Sequence, residues 1–121
     1  MKKVTLKLQK GVNSDAVLEE IVNEVVCGDY KFTIKDFMII PGHDDSLPYY
    51  AVLYLNGKPF CRCLNDGWGG ETNLEPIKGH TYDELKSINE EIKDYKWAFK
   101  NHIFDYSLNF IADILADSEA A

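Results

Sequence analysis

No apolar run in this chain approaches the roughly 18 residues that a membrane-spanning helix needs. After the charged start Met1-Lys2-Lys3 the sequence alternates at once, without opening a signal-peptide core. Cysteine is scarce and odd in number, with Cys27, Cys61 and Cys63 the only three. A disulfide-built secreted domain is therefore not expected, and the sequence reads as cytoplasmic with reduced thiols. Cations are in deficit, because 13 Lys and Arg face 20 Asp and Glu for a formal net charge of −7. Direct nucleic-acid binding needs the opposite balance and is not expected. Phosphate-loop and dinucleotide fingerprints, a metal quartet and a nucleophile–base set are likewise missing, so no enzyme, metal or cofactor is expected.

What is present is an ordinary globular mixture, 45% apolar and 27% charged over 121 residues, which fits one domain spanning 1–121. Val4, Leu6 and Leu8 alternate with Lys3, Thr5 and Lys7, the period of a half-buried strand. Ser14 stands as an N-cap before Val17, Leu18, Ile21, Val22, Val25 and Val26, which share one helical face up to Gly28. That predicts an N-terminal helix, weak by propensity because of its valines. Tyr30 to Ile40 reads as a strand. Tyr49–Leu55 and Lys58–Leu64 flank Asn56-Gly57, the signature of a type I′ hairpin. Pro59 cannot donate to the ladder, which places it at an edge or a non-bonded position.

Thr81-Tyr82-Asp83-Glu84 forms a capping box, and apolar residues then recur at steps of three and four from Leu85 to Ile114. One helix over 81–117 would be about 55 Å long, against roughly 35 Å for a compact domain of this size. A break at Lys100-Asn101-His102 into a helical hairpin is the favoured solution; the other is a long helix whose end packs on a second subunit. The wide apolar arc after Ile103, including Phe110 and Ile114, points to a homodimer contact through this C-terminal helix. The expected fold is thus α+β: an antiparallel sheet with a central hairpin, one N-terminal helix, and a C-terminal helical hairpin or long helix.

The strongest candidate site is the loop Asp66-Gly67-Trp68-Gly69-Gly70-Glu71. Glycines let backbone amides approach a ligand, and a Trp can stack on a flat group or anchor a partner. Phosphate loops carry a following Lys-Ser/Thr and a helix directly behind, and both are missing here. The competing role is a sharp turn with Trp68 plugging the sheet edge. Cys61 and Cys63, at i and i+2 of a strand, point in parallel about 7 Å apart and read as small core residues instead of metal ligands. His43-Asp44-Asp45 reads as a solvated loop.

Small size, acidity and abundant aromatics lead to a non-enzymatic binding protein. The first functional expectation is a protein-binding inhibitor that occupies a basic surface of its target, a profile shared in general terms by anti-defence inhibitors of phages and mobile elements and by toxin-immunity proteins. The alternative is a nucleotide-type small ligand held by the Gly67–Gly70 loop, with Arg62 or Lys58 nearby.

Overall fold

The computed structural model describes residues 3–14, 21–40, 48–67, 71–99 and 101–120. In chain order it contains β1 (Lys3–Leu8), β2 (Gly11–Ser14), β3 (Ile21–Cys27), β4 (Tyr30–Ile39), β5 (Tyr49–Leu55), β6 (Lys58–Asn65) and β7 (Asn73–Pro76). Then follow α1 (Tyr82–Glu91), one 3-10 turn (Ile92–Asp94), β8 (Tyr95–Phe99), β9 (His102–Asp105) and α2 (Leu108–Ala120). Six strands form a sheet in the order β1-β3-β4-β5-β6-β7, and β2-β8-β9 form a second, smaller one. The α+β class stands. The large sheet is mixed, however, because β1 pairs with β3 in parallel while the other ladders are antiparallel.

No N-terminal helix exists over 21–27; that segment is β3, and residues 15–20 lie outside the described part. A bulge explains the helical periodicity. The register with β1 shifts between Val4 and Thr5, so Val22 pairs with Val4 while Glu24 pairs with Thr5, leaving Asn23 as the extra residue. Val22, Val25 and Cys27 are consequently the buried positions. Their spacing of three and then two mimics a helix, although β-branched valines favour the strand. The Val22 amide donates to Ser118 Oγ at 2.8 Å. Ser14, expected as a cap, instead pairs with Ala98 across β2 and β8.

The Asn56-Gly57 hairpin is present, with φ of +52° and +83° at its two turn residues. Asn56 also bonds β4: its amide donates to the Lys31 carbonyl and its side-chain oxygen accepts from the Lys31 amide, both at 2.8 Å. The hairpin fills the fourth and fifth places of six, off the centre, and β7 covers its outer strand. Pro59 faces Tyr54 where the register slips, which removes the need for its missing donor.

The run after Thr81 divides differently from either expectation. The capping box forms, with the Glu84 amide donating to Thr81 Oγ1 and the Thr81 amide to Glu84 Oε1, both at 3.2 Å. The helix nevertheless ends at Glu91, and Tyr95 to Asp105 make an antiparallel hairpin between the two helices. Tyr95, Trp97 and Phe99 are strand formers, and the four-residue step from Tyr95 to Phe99 continued the helical count only by coincidence. Asn101 sits in the turn of that hairpin, at the place where two helices were expected to meet. No described helix is long and apolar enough to cross a membrane.

The 13-residue α2 lies on one face of the large sheet. Leu108, Ile111, Ala112, Ile114, Leu115 and Ala116 are buried there, with Phe32, Leu53, Cys61 and Cys63 in the same core. Its first turn is capped: the Phe110 amide donates to Ser107 Oγ at 3.2 Å and the Leu108 amide to Asn89 Oδ1 of α1 at 2.9 Å. Phe110 stacks on Trp97 with centroids 5.0 Å apart and planes 8° from parallel. The part of the apolar arc from Leu108 to Leu115 is thus packed within the chain, whereas Ile103 and Phe104 on β9 are exposed, and the overlong helix that required a second subunit does not exist.

Candidate functional site

The loop after β6 is held by its stems. Strand alternation turns Asn65 to the helix-covered face, where its side-chain oxygen accepts from the Gly67 amide at 2.9 Å. Gly67 has φ of +81°, which closes this tight local turn at no steric cost to glycine. Asn65 Nδ2 donates to Thr72 Oγ1 at 3.1 Å across the loop. Thr72 is 1% exposed, and its hydroxyl in turn donates to Asp113 Oδ1 on α2. The same carboxylate oxygen accepts from Tyr49 Oη of β5 at 2.9 Å, and Asn109 Nδ2 donates to the Thr72 carbonyl. Both loop stems are therefore pinned to one helix and one strand. Every buried side-chain polar atom among the described residues has a partner, as a polar network in a low-dielectric interior requires.

Burial holds the Asp113 carboxyl above its ordinary range, against the opposing pull of the hydrogen bonds from Thr72 and Tyr49; the charge of Glu71 pushes the same way as burial. Asp117, one turn further along α2, faces solvent. Protein packed around its base, together with the charge of Asp113, also holds its carboxyl above the usual value. Burial and the neighbouring Asp113 push the Tyr49 hydroxyl up, so it remains a donor. Asp66 and Glu71 are exposed at the rim. From Asn65 to Ile77, and again from Asn101 to Ala121, the chain contains no Lys or Arg. The rim around the loop is acidic and uncompensated by cations of its own segments.

Of the residues expected at the site, Asp66, Gly67 and Glu71 are brought together here, while Trp68, Gly69 and Gly70 lie outside the described residues. Arg62 is not part of it. It points to the opposite face of the sheet and pairs with Glu75 on β7 at 3.2 Å. Lys58 begins β6, at the far end of the strand from Asn65. The two cations that a phosphate-bearing ligand would need are thus elsewhere. Sequence reasoning missed Tyr49, Asn65, Thr72, Asn109 and Asp113. One signal was available: Asn109, Asp113 and Asp117 recur at i, i+4 and i+8, a polar stripe down an otherwise apolar helix.

Elsewhere the chemistry is sparse. Cys61 and Cys63 are fully buried. The Cys63 thiol hydrogen-bonds that of Cys61, closer than two parallel side chains 7 Å apart would allow; this bond, with burial behind it, pushes the Cys63 thiol up. An open cleft of about 520 Å³ lies between the β3–β4 turn and the end of α1, lined by Asp29, Glu90, Glu91 and Asp94 with Lys10. No group of His, Cys, Asp and Glu that could hold a metal ion occurs among the described residues. Comparison with family models, with curated proteins and with solved structures finds no match, so the functional reading rests on this geometry.

Proposed function

We propose that the chain is a small acidic binding protein without catalytic chemistry, and that its docking surface is the rim formed by Asp66, Glu71 and Asp117 around the pinned loop. Its target presents a basic protein surface, and covering that surface inhibits whatever else binds there. The observation that carries this reading is the combination of an acidic rim, on segments that carry no Lys or Arg of their own, with a stem network of Asn65, Thr72, Asp113 and Tyr49. Ordering a binding surface costs conformational entropy, and stems already held in place leave less of that cost to binding. Carboxylates of one sign then steer a basic partner and raise its association rate, more so at low salt.

A fluorescently labelled nona-arginine peptide is the probe. Anisotropy titration of the unmodified protein is compared with Glu71→Lys/Asp117→Lys at the rim and with Asp83→Lys/Glu90→Lys on α1, which changes the net charge equally. The rim variant should bind roughly tenfold more weakly and the α1 variant no more than about twofold. Equal losses in the two variants would reduce the attraction to net charge and remove the loop as the surface.

A further inference from the structure

The other face of the six-stranded sheet is of opposite character. The core lies on the side that carries Phe32, Leu53, Cys61 and Cys63, and strand alternation turns their neighbours outward. Lys3, Lys7, Lys31, Lys35 and Arg62 all fall on that outer face. The acids there are Glu24 and Glu75. Five bases against two acids leave a positive surplus, and it survives counting Asp36 at the β4 bulge, in a chain whose formal net charge is −7. Within this basic field lies an apolar row. Met38, Tyr50 and Leu64 stand directly opposite one another across β4, β5 and β6, with Met38 57% and Leu64 43% exposed.

We propose that this outer face is a second docking surface, whose occupant is an acidic protein segment with apolar or aromatic side chains between its carboxylates. Charge complementarity sets the sign of the partner, and the exposed row supplies the apolar centre that a protein interface needs. Tyr, Met and Arg are the residue types enriched in such interfaces. A single-stranded nucleic acid fits less well. It needs open aromatic faces for stacking, and Lys35 Nζ already sits 4.8 Å over the ring of Tyr54. Its long polyanionic backbone would also meet the negative remainder of the chain. With an acidic rim on one side and a basic sheet on the other, the molecule can join two partners of opposite charge.

The test uses fluorescently labelled copolymer of Glu and Tyr, poly-glutamate and an oligo-thymidylate, titrated against the unmodified protein and Lys35→Glu/Arg62→Glu. Circular dichroism and the thermal midpoint verify the fold; Lys35→Gln/Arg62→Gln replaces the double reversal if it does not fold. The Glu–Tyr copolymer is expected to bind roughly fivefold tighter than poly-glutamate, and the variant to lose about tenfold of that affinity. Glu71→Lys/Asp117→Lys should bind the copolymer at least as tightly as the unmodified protein, which separates this surface from the loop rim. No binding of the copolymer, unchanged binding in the variant, or tighter binding of oligo-thymidylate would each overturn the proposal.

Discussion

Thr72→Val removes one hydroxyl from the stem network and keeps the shape of the side chain. Thr72 is 1% exposed, so water cannot replace what is lost. Two bonds disappear: the one accepted from Asn65 Nδ2 at 3.1 Å and the one donated to the Asp113 carboxylate. A neutral bond contributes about 1 kcal/mol and a bond to a charged group about 1.5–3 kcal/mol, so the variant should lose roughly 2.5–4 kcal/mol. With a urea slope of about 1–3 kcal/mol per molar for a domain of this size, the midpoint should fall by roughly 1–4 M. Thr72→Ser keeps the hydroxyl and should stay within about 1.5 kcal/mol of the unmodified protein, the cost of one buried methyl group. Urea denaturation followed by circular dichroism reads both. A Thr72→Val midpoint within error of the unmodified protein would show that the hydroxyl does not clamp the loop, and the argument for a pinned site would fall with it.

The raised carboxyl of Asp113 fixes a sign for pH. Its native state holds a proton that the unfolded state has already lost above the ordinary value of 3.8, so this group's contribution to stability falls as pH rises through that window. In Asp113→Asn that fall should be smaller, a difference read from urea midpoints measured from pH 3 to 7. Gly57→Val forces a β-branched residue to φ of +83° and should cost about 1–2 kcal/mol although nothing lies within 4 Å of the new Cβ; thermal melts measure it. All three thiols are buried, and burial pushes the Cys27 thiol up to about 12. A maleimide reagent at neutral pH should therefore modify none in the native protein and all three in urea, as counted by mass spectrometry. Phe110→Asp/Ile114→Asp should unfold the chain, since Ile114 is buried in the core and Phe110 stacks on Trp97. A folded, soluble double variant by circular dichroism would contradict the packing of α2.

Local chemistry was legible in the sequence wherever a few adjacent residues decide the backbone. Asn56-Gly57 requires positive φ at both positions, and the Thr81–Glu84 box satisfies its own amides, so both features could be read without tertiary knowledge. The failures came where tertiary pairing overrode periodicity. One extra residue at Asn23 turned the alternation of β3 into a spacing of three, and Tyr95 to Asp105 satisfied a helical count while pairing as strands. The site divided in the same way. Glycine composition marked the loop, but what holds it is Asp113, 41 residues from Thr72 and 64 from Tyr49, a separation no local motif spans. Arg62 was misplaced although it lies three residues from Asn65 on one strand, so alternation alone puts the two on opposite faces; what the sequence withheld is that the network holding the loop lies on the Asn65 face.

The central claim is that the acidic rim around the pinned loop is where a basic partner docks. Amide chemical-shift mapping by nuclear magnetic resonance, with nona-arginine added stepwise to the isotope-labelled protein, tests it most directly. The expected result is a set of shifts concentrated on residues 65–67, 71–73 and 109–118, leaving α1 and the acidic cleft near Glu90 and Asp94 close to their free positions. Shifts centred on α1 and that cleft, or spread evenly over every exposed carboxylate, would contradict it.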